Sequence, residues 1–274
     1  MASGKRDLRL GVAGLGAIGL AVAQAVDSGR IPGLTLAAAS ARDHPKAQRA
    51  TGTFRQPPPL LDFEALAEAS DVVVECLPSA HFAAVATPAI ERGRIFMPLS
   101  VGMLINHMSL VERAQATGAR IIVPTGALLG LDAVRATAEG KISAVKIVTR
   151  KPPAGLAGAP LLVARGISVE GLDKPLLVFE GTAREAIAGF PANVNVAVAL
   201  SLAGIGPDRT RAEIWADPGV TRNTHTITVT SDSSDLTMTI ANIPSEENPR
   251  TGKITSLSVL AALRRLTAPL VVGS

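Results

Sequence analysis

The feature that most constrains the fold is the stretch GLGAIG, which places Gly14, Gly16 and Gly19 between two apolar runs. The run before it, LRLGVA at residues 8–13, predicts a buried strand, and the run after it predicts a helix. At such a junction the first glycine allows a tight turn, the second lets a ligand approach the backbone, and the third lets the helix pack against the strand. We therefore predict that the chain begins with a strand–turn–helix unit of a parallel sheet.

The same alternation of strand and helix continues to residue 124. Helices are predicted at 62–69, at about 81–92 and from Asn106 to Gly118, with Asp62 and Asn106 as candidate N-caps. The further strand segments are LTLAAAS (34–40), DVVVECL (71–77), residues 94–100 and ARIIVP (119–124). Strands that are apolar on both faces are typical of a parallel sheet covered by helices on both sides. Residues 1–124 are therefore predicted to form a doubly wound Rossmann domain, with an α/β fold class.

After Thr125 the pattern changes. A helix at about 129–139 leads to the apolar run ISAVKIVT and then to a Pro/Gly-rich loop, RKPPAGLAGAP. From about residue 210 apolar and polar residues alternate, and the turn SDSSD joins two such runs, which is typical of an antiparallel hairpin. Residues 125–250 are therefore predicted to form a C-terminal α+β domain with a mixed or antiparallel sheet. The last segment, 251–274, is predicted to be a helix that returns to the Rossmann domain.

The glycine turn also predicts a ligand. A helix that begins there directs free N–H groups and the positive end of its dipole at phosphate groups, so a dinucleotide is expected. Ligands of such sheets bind beyond the carboxyl ends of the strands. The predicted cofactor contacts in this domain are Gly14, Gly16, Ala17, Ile18, Gly19, Ser40, Arg42, Leu77, Pro78, Ser79 and Ser100.

The choice of dinucleotide depends on the end of the second strand, ASARD. NAD sites usually have an acidic residue here for the ribose 2′-hydroxyl. The hydroxyl of Ser40 and the guanidinium of Arg42 favour the 2′-phosphate of NADP, whereas Asp43 could serve NAD. The alternative is that these are solvated loop residues. We predict that both NAD and NADP are accepted.

Composition excludes several classes of function. Only 3% of the residues are aromatic and the 27 Lys and Arg residues form no block, so nucleic-acid binding is not expected. The uncharged stretches 10–26 and 186–207 contain glycines or amides that suit a membrane span poorly. The single cysteine, Cys76, excludes an internal disulfide, and no metal-ligand spacing is present. A soluble, cytoplasmic protein that binds small anions is therefore expected.

Three polar blocks in the second half predict a substrate site. FPANVNV places two asparagines at a predicted helix start, where they could hold a carboxylate or a carboxamide, or simply cap the helix. RNTHTI brings a cation, an amide and a histidine within four residues, and PRTGK adds further cations. The residues predicted to bind substrate are Asn193, Arg222, Asn223 and Lys253, and Asn193 and Asn195 are also predicted to contact the cofactor.

Six blocks, in order, resemble the L-aspartate dehydrogenase family across the whole chain. They are GLGAIG, TGALLGLDA, TRKPP, FPANVNVAVALSLAG, RNTHTI and ENPRTGK-TSLSVLAAL. The resemblance implies an N-terminal Rossmann domain, a C-terminal catalytic and dimerisation domain, and a homodimer. It implies the NAD- or NADP-dependent oxidative deamination of L-aspartate through iminoaspartate to oxaloacetate and ammonia, with a link to NAD biosynthesis. It also implies that His225 is catalytic and that Ala127 and either Asn193 or Asn195 contact the cofactor.

His225 has two interpretations. Alternation places it on the face of Ile227 and Val229, which by itself favours a packed strand residue. The resemblance favours a catalytic histidine, since an imidazole can accept the substrate amine proton and activate water near neutral pH. His81 is the rival because it follows a strand of the nucleotide domain, while His44 and His107 look like loop and helix-start residues.

Two other functions stay open at this point. One is another Rossmann-fold reductase, such as a dihydrodipicolinate-reductase-like or sugar-dehydrogenase-like enzyme. The other is a non-catalytic dinucleotide sensor. The asparagine and histidine blocks argue against the first, and reduction of the cofactor by an amino acid would exclude the second.

Overall fold

The computed structural model describes residues 6–190, 194–246 and 252–273. The chain divides into two compact units, of which the first runs to Pro124 and takes in Ser256–Val271, while the second consists mainly of Thr125–Thr255. Each unit is built on one five-stranded sheet. Within the described residues, no helix has both the length and the apolarity needed to span a bilayer.

The first unit contains a parallel sheet. Its strands are β1 (Leu8–Ala13), β2 (Leu34–Ser40), β3 (Val72–Glu75), β4 (Ile95–Pro98) and β5 (Arg120–Ile121). Its helices are α1 (Ala17–Asp27), α2 (His44–Thr51), α3 (Phe63–Ala69), α4 (Phe82–Glu91), α5 (Val101–Leu104) and α6 (Ser109–Thr117). The strands lie in the order β2-β1-β3-β4-β5, so all their carboxyl ends meet at one edge.

Local signals explain where several of these elements begin and end. Asp62 caps α3 by accepting a hydrogen bond from the Ala65 N–H at 2.8 Å, as predicted. Gly118 ends α6 in the left-handed region, with φ at 74°. The prediction that Asn106 caps this helix was wrong, because Asn106 lies in a 3-10 turn and no side chain of the described residues caps α6. The predicted strand at 119–124 is also shorter, with only two paired residues.

The second unit contains a mixed sheet. Its strands are β6 (Ile142–Lys151), β7 (Leu176–Thr182), β8 (Thr210–Ala216), β9 (Thr224–Ser231) and β10 (Asp235–Ala241). Its helices are α7 (Leu131–Ala138), α8 (Pro160–Arg165), α9 (Ala183–Gly189) and α10 (Asn195–Ala203). In the order β10-β9-β6-β8-β7, the central β6 runs parallel to β8 and antiparallel to β9. The predicted fold class, an α/β Rossmann domain followed by a domain with a mixed sheet, is confirmed.

Strand β6 is longer than the sequence pattern predicts. The apolar run ends at Thr149, yet pairing with β8 continues through Arg150 to Lys151, which lies opposite Ala216. The Pro/Gly-rich segment after it is not all loop, because it leads into α8 at Pro160. The extension matters for the site because it places a lysine on the strand instead of in a solvated loop.

The C-terminal helix α11 (Ile254–Thr267) completes the core of the first unit. Val259 and Leu263 are fully buried in the same apolar cluster as the residues of β1. The Thr267 hydroxyl donates to the Pro32 carbonyl at 2.7 Å, which fixes the end of the helix. The helical spacing of Ile254, Leu257, Leu260 and Leu263 in the sequence predicts one buried apolar face, but Leu257 is exposed.

Candidate active site

The turn between β1 and α1 requires glycine at two positions. Gly14 has a φ of +97°, and a Cβ atom there would lie 2.9 Å from the Cys76 carbonyl oxygen. A Cβ atom on Gly19 would lie 1.8 Å from the Gly14 carbonyl oxygen. The helix can therefore approach the strand only because neither residue has a side chain.

The N-terminus of α1 has the features that a dinucleotide phosphate requires. Gly16 is its N-cap, and a Cβ there would meet no described atom within 4 Å, so the backbone faces open space. Among the described residues, no side chain caps this helix and its first turn has no acidic residue. Ala17 is exposed and Ile18 half-buried in that turn. The free N–H groups and the helix dipole thus fit the pyrophosphate of a bound dinucleotide.

A buried carboxylate connects two neighbouring strand ends at this edge of the sheet. Glu75 is fully buried and accepts hydrogen bonds from the Leu77 N–H at 2.8 Å and from the Ser100 N–H and hydroxyl at 3.0 and 3.1 Å. Burial raises its pKa, while these hydrogen bonds act in the opposite direction. Pro78 and Ser79 follow on the exposed side. Glu75 was missed in the sequence analysis, although an acidic residue inside an apolar strand was a signal for it.

The three polar residues at the end of β2 and just after it have different surroundings. Ser40 is buried, and its carbonyl accepts a hydrogen bond from the Gly14 N–H at 2.8 Å. The Asp43 carboxylate caps α2 by accepting from the Lys46 N–H at 2.9 Å. Arg42 is exposed between them. One carboxylate oxygen of Asp43 is therefore committed to a helix, whereas the guanidinium is on the surface.

In the second unit, His225 lies on the buried face of β9 and contacts a threonine of β6. The antiparallel register sets His225 opposite Thr149, and Thr149 Oγ1 lies 3.0 Å from His225 Nδ1. Both side chains are at least 95% buried. The pair fixes the ring orientation and leaves Nε2 as the other ring nitrogen that can exchange a proton.

Two buried basic groups share this face of the sheet. Lys151 follows Thr149 by two residues, so strand alternation places it on the same side as His225. Burial, and then the charge of Lys151, lower the pKa of His225 to about 3. Burial lowers the pKa of Lys151 to about 8. At neutral pH His225 is therefore an uncharged imidazole beside an ammonium group.

A cavity of about 320 Å³ opens at this end of the second unit. It brings together Arg222 and Asn223, which the sequence analysis had singled out, with Lys151 and Asn242, which it had not. The remaining lining residues are Pro152, Ala154, Gly155, Thr221, Pro244 and Gly252. Its size suits a small molecule, and its polar groups are mostly cations and amides, so it suits an anion.

Asn242 connects this cavity to the segment around Ala127. Its Nδ2 donates to the Ala127 carbonyl at 2.9 Å, while its own backbone N–H donates to the Asn223 carbonyl at 2.8 Å. The Asn242 Oδ1 is buried and has no hydrogen-bond partner among the described residues. The bond to Ala127 identifies the amide nitrogen as the donor, so the atom left without a partner is an acceptor.

Two other predicted residues, Lys253 and Asn195, are not among the residues that line the cavity. Lys253 forms an ion pair with Glu246 at 2.8 Å and is half exposed. Asn195 is the first residue of α10. Asn193, like the predicted helix start at Pro191, lies outside the described residues.

The other three histidines and the cysteine lie in turns, at a helix start or just beyond a strand. His81 is exposed at the end of a 3-10 turn, and His44 is not in a loop but begins α2. The Nδ1 of His107 lies 2.8 Å from the Met103 carbonyl oxygen, so this ring has a hydrogen-bond partner. Cys76 is half-buried just beyond β3, and burial together with Glu75 raises the pKa of its thiol. In the part of the chain that the structure describes, no three His, Cys, Asp or Glu side chains form a group that could hold a metal ion.

Comparison with known proteins identifies both halves of the chain. The family model for the aspartate dehydrogenase C-terminal domain matches residues 132–266, and the model for the homoserine dehydrogenase NAD-binding domain matches residues 14–124. The solved aspartate dehydrogenase from Thermotoga maritima covers 98% of this chain and 100% of its own, with a TM-score of 0.75 at 22% identity. A scyllo-inositol dehydrogenase from Lactobacillus casei has a TM-score of 0.55 at 15% identity, covering 95% of this chain and 87% of its own. These structures share the fold.

Sequence relatives are much more similar. The L-aspartate dehydrogenase of Bradyrhizobium diazoefficiens is 55% identical over 268 residues, which cover 98% of this chain and 95% of the relative. L-aspartate dehydrogenase 3 of Bordetella bronchiseptica is 50% identical over 272 residues, covering 99% and 100%. These matches confirm the resemblance that the six sequence blocks indicated. This chain, an enzyme with a nicotinamide-dinucleotide domain, belongs to the L-aspartate dehydrogenase family.

Proposed function

We propose that the enzyme catalyses the reversible, NAD- or NADP-dependent oxidative deamination of L-aspartate, through iminoaspartate, to oxaloacetate and ammonia. The observation that carries the proposal is a buried, neutral His225 on the same strand end that contributes Asn223 to a cation-lined cavity. A dicarboxylate amine needs cations and N–H donors for its carboxylates and a base for its amine. In the second unit, Arg222, Asn223 and Lys151 line the cavity, and His225, which is outside the lining, interacts electrostatically with Lys151.

His225 is proposed as the general base of the first step. When its Nδ1–H donates to Thr149 Oγ1, the Nε2 lone pair is left to accept a proton from the substrate ammonium group. The amine electron pair then forms the C=N bond as hydride leaves Cα. When bound, the nicotinamide supplies the hydride acceptor. The carboxylates of the substrate favour the imidazolium form, so their binding raises the pKa of His225 from its low value in the free enzyme.

The same histidine is proposed to serve the hydrolytic step. After the proton taken in the first step has passed to solvent, His225 accepts a proton from water as the water oxygen bonds to the imine carbon. It returns that proton to the nitrogen and then accepts the hydroxyl proton as the C=O bond forms and the C–N bond breaks, so that ammonia leaves and oxaloacetate remains. Arg222 and Asn223, which line the cavity, are proposed to bind carboxylate oxygens throughout. Asn193 and Lys253, whose ammonium group pairs with Glu246, are proposed for the same role.

Both cofactors are proposed to bind, with a preference for NADP. The exposed guanidinium of Arg42 suits a 2′-phosphate, and one oxygen of the Asp43 carboxylate is already bonded to the Lys46 N–H of α2. Ala127 and an asparagine of the NVNV block are proposed as further cofactor contacts, by resemblance to the family.

We assign the first unit to cofactor binding and the second to catalysis and dimerisation. We further propose that the enzyme is a cytoplasmic homodimer and that its iminoaspartate links it to NAD biosynthesis. The mass of the particle in solution, measured by light scattering, tests the dimer.

The test of the function is the appearance of reduced cofactor, followed by absorbance, when L-aspartate is added with NAD or NADP. A panel of other amino acids and of polyols serves as the control. Replacing His225 with Ala should lower turnover by about 10²–10⁴-fold while cofactor binding is retained. The proposal would be refuted by wild-type enzyme that reduces neither cofactor with L-aspartate, or by a His225→Ala variant with unchanged turnover.

A further inference from the structure

Lys151 is a buried lysine that ends the central strand β6 and has no role in the mechanism proposed above. Its exposure is only 6%, although lysine is rarely buried in proteins. Its carbonyl accepts a hydrogen bond from the Asp217 N–H at 2.8 Å, which holds the backbone of the strand end in place. The backbone that carries this ammonium group is therefore fixed at the end of the central strand.

The cations of β6 are separated by face. Lys146 and Arg150 lie on the opposite side of the strand from Thr149, and they form ion pairs with Glu213 and Asp217. Lys151 lies on the side of Thr149 and lines the cavity with Arg222 and Asn223. Its charge therefore acts on whatever occupies the cavity.

Burial makes this charge a strong binder of anions. An ammonium group that has lost most of its hydration loses little more when a carboxylate replaces the remaining water. Because the pKa of Lys151 is lowered only to about 8, the group still carries its proton at pH 7. A carboxylate in the cavity would stabilise the charged form and gain a charge-assisted hydrogen bond.

We propose that Lys151 binds one carboxylate of the dicarboxylate substrate in this cavity, and that Arg222 binds the other. This inference builds on the proposed function and names the residue that selects for a substrate with two carboxylates. Arg222 is exposed whereas Lys151 is buried, so the two cations offer a carboxylate an outer and an inner partner. Arg222 alone would bind any small anion weakly, because its guanidinium is hydrated.

A matched pair of variants on one strand tests the role of Lys151. Lys151→Met removes the charge inside the cavity, and Lys146→Met removes a charge from the opposite face of β6. Binding of succinate, a four-carbon dicarboxylate without an amine, is measured by calorimetry on enzyme saturated with NADP. We expect Lys151→Met to weaken succinate binding at pH 7 by about 10- to 100-fold, and Lys146→Met to change it less than about twofold. The dissociation constant for NADP should be the same in all three proteins.

Succinate affinity in Lys151→Met within about twofold of wild type would overturn the inference, as would equal losses in both variants. Wild-type enzyme that binds no succinate would overturn it too. A purely structural lysine predicts a lower melting temperature for Lys151→Met, whereas loss of a desolvated charge predicts no decrease. If that variant does not fold, Lys151→Gln is measured in its place. Failure of the proposed function would appear as absence of L-aspartate turnover by the wild type. The succinate titration requires no turnover, so failure of this inference is distinguishable from failure of the proposed function.

Discussion

Thr149 Oγ1 lies 3.0 Å from His225 Nδ1, and the two residues are 76 positions apart in the chain. Their contact is set by the antiparallel register of β6 and β9, which aligns them directly across the ladder. The hydroxyl thereby orients the ring and decides which imidazole nitrogen is available for chemistry.

Replacing Thr149 with Val keeps the shape of the side chain and removes the hydroxyl. We expect kcat to fall by about 10- to 100-fold, because the ring loses the contact that orients it. The KM for L-aspartate and the affinity for cofactor should change little. Thr149→Ser, which retains the hydroxyl, is the control and should stay within a few-fold of wild type. Equal kinetic constants for the Val and Ser variants would contradict an orienting role for the hydroxyl.

Protonation of His225 should make the fold sensitive to acid. Its pKa is about 3 in the folded protein against an ordinary value of 6.5, so between these pH values the unfolded chain binds more protons than the folded one. The free energy of unfolding should therefore fall as the pH decreases from 6.5, by up to a few kcal/mol, on the order of 1.4 kcal/mol per pH unit. The flanking strands place Thr149 and Ile240 opposite the ring, and Lys151 is the charged group that contributes to the low pKa.

Urea unfolding of wild type and of His225→Asn at several pH values between 4 and 7 measures this effect. The variant should lose less stability than wild type over that range. His44→Asn, an exposed position at the start of α2, is the control and should follow the wild-type curve. Parallel curves for wild type and His225→Asn would mean that the imidazole does not titrate in this way.

Glu75 should affect the affinity for cofactor through the two strand ends that it connects. Glu75→Ala leaves the Leu77 and Ser100 N–H groups without their carboxylate acceptor, so we expect a loss of about 1–3 kcal/mol in the free energy of unfolding for each buried donor left unsatisfied. Weaker binding of NADP should accompany it, because both strand ends carry predicted cofactor contacts. Chemical denaturation and fluorescence titration measure the two effects. Glu68→Ala, at an exposed position on α3, is the control and should change neither. NADP affinity equal to wild type in Glu75→Ala would show that the carboxylate supports only the fold.

Arg42 should discriminate between the two cofactors. Arg42→Ala is expected to raise the dissociation constant for NADP by about tenfold or more and to leave that for NAD almost unchanged, since only NADP has the 2′-phosphate. Asp43→Asn retains the cap of α2, because asparagine is also a good N-cap. A large loss of NAD affinity in Asp43→Asn would instead show that this carboxylate binds the ribose.

Local sequence patterns were sufficient to predict much of the fold. The bounds of β2 agree with the predicted segment 34–40, α11 lies within the predicted segment 251–274, and the hairpin of β9 and β10 follows from strict alternation. Helix α2 was missed because its sequence, HPKAQRAT, is mostly polar and buries little more than Ala47 and Thr51. Its formation depends on the Asp43 cap and on packing that no local pattern displays.

The candidate site was less accessible to sequence reasoning, for a physical reason. Arg222, Asn223 and His225 were found because they are adjacent in the chain. Thr149 lies opposite His225, 76 positions along the chain, and Lys151 lies opposite Ala216 of a different strand. Lys151 also precedes two prolines that indicated a loop. Which residues face each other across a sheet is decided by register, and register is a property of two segments together.

The position of α11 has a consequence for how the protein is made. The strands of the first unit are all synthesised by residue 121, yet Val259 and Leu263, which fill its apolar cluster, leave the ribosome only after the whole second unit. During translation the glycine turn therefore emerges early on a sheet with an uncovered apolar surface, while the mixed sheet has all its strands by residue 241. The nucleotide-binding unit is therefore started first but gains α11 only after the strands of the second unit, so stable cofactor binding is expected only once α11 has been synthesised.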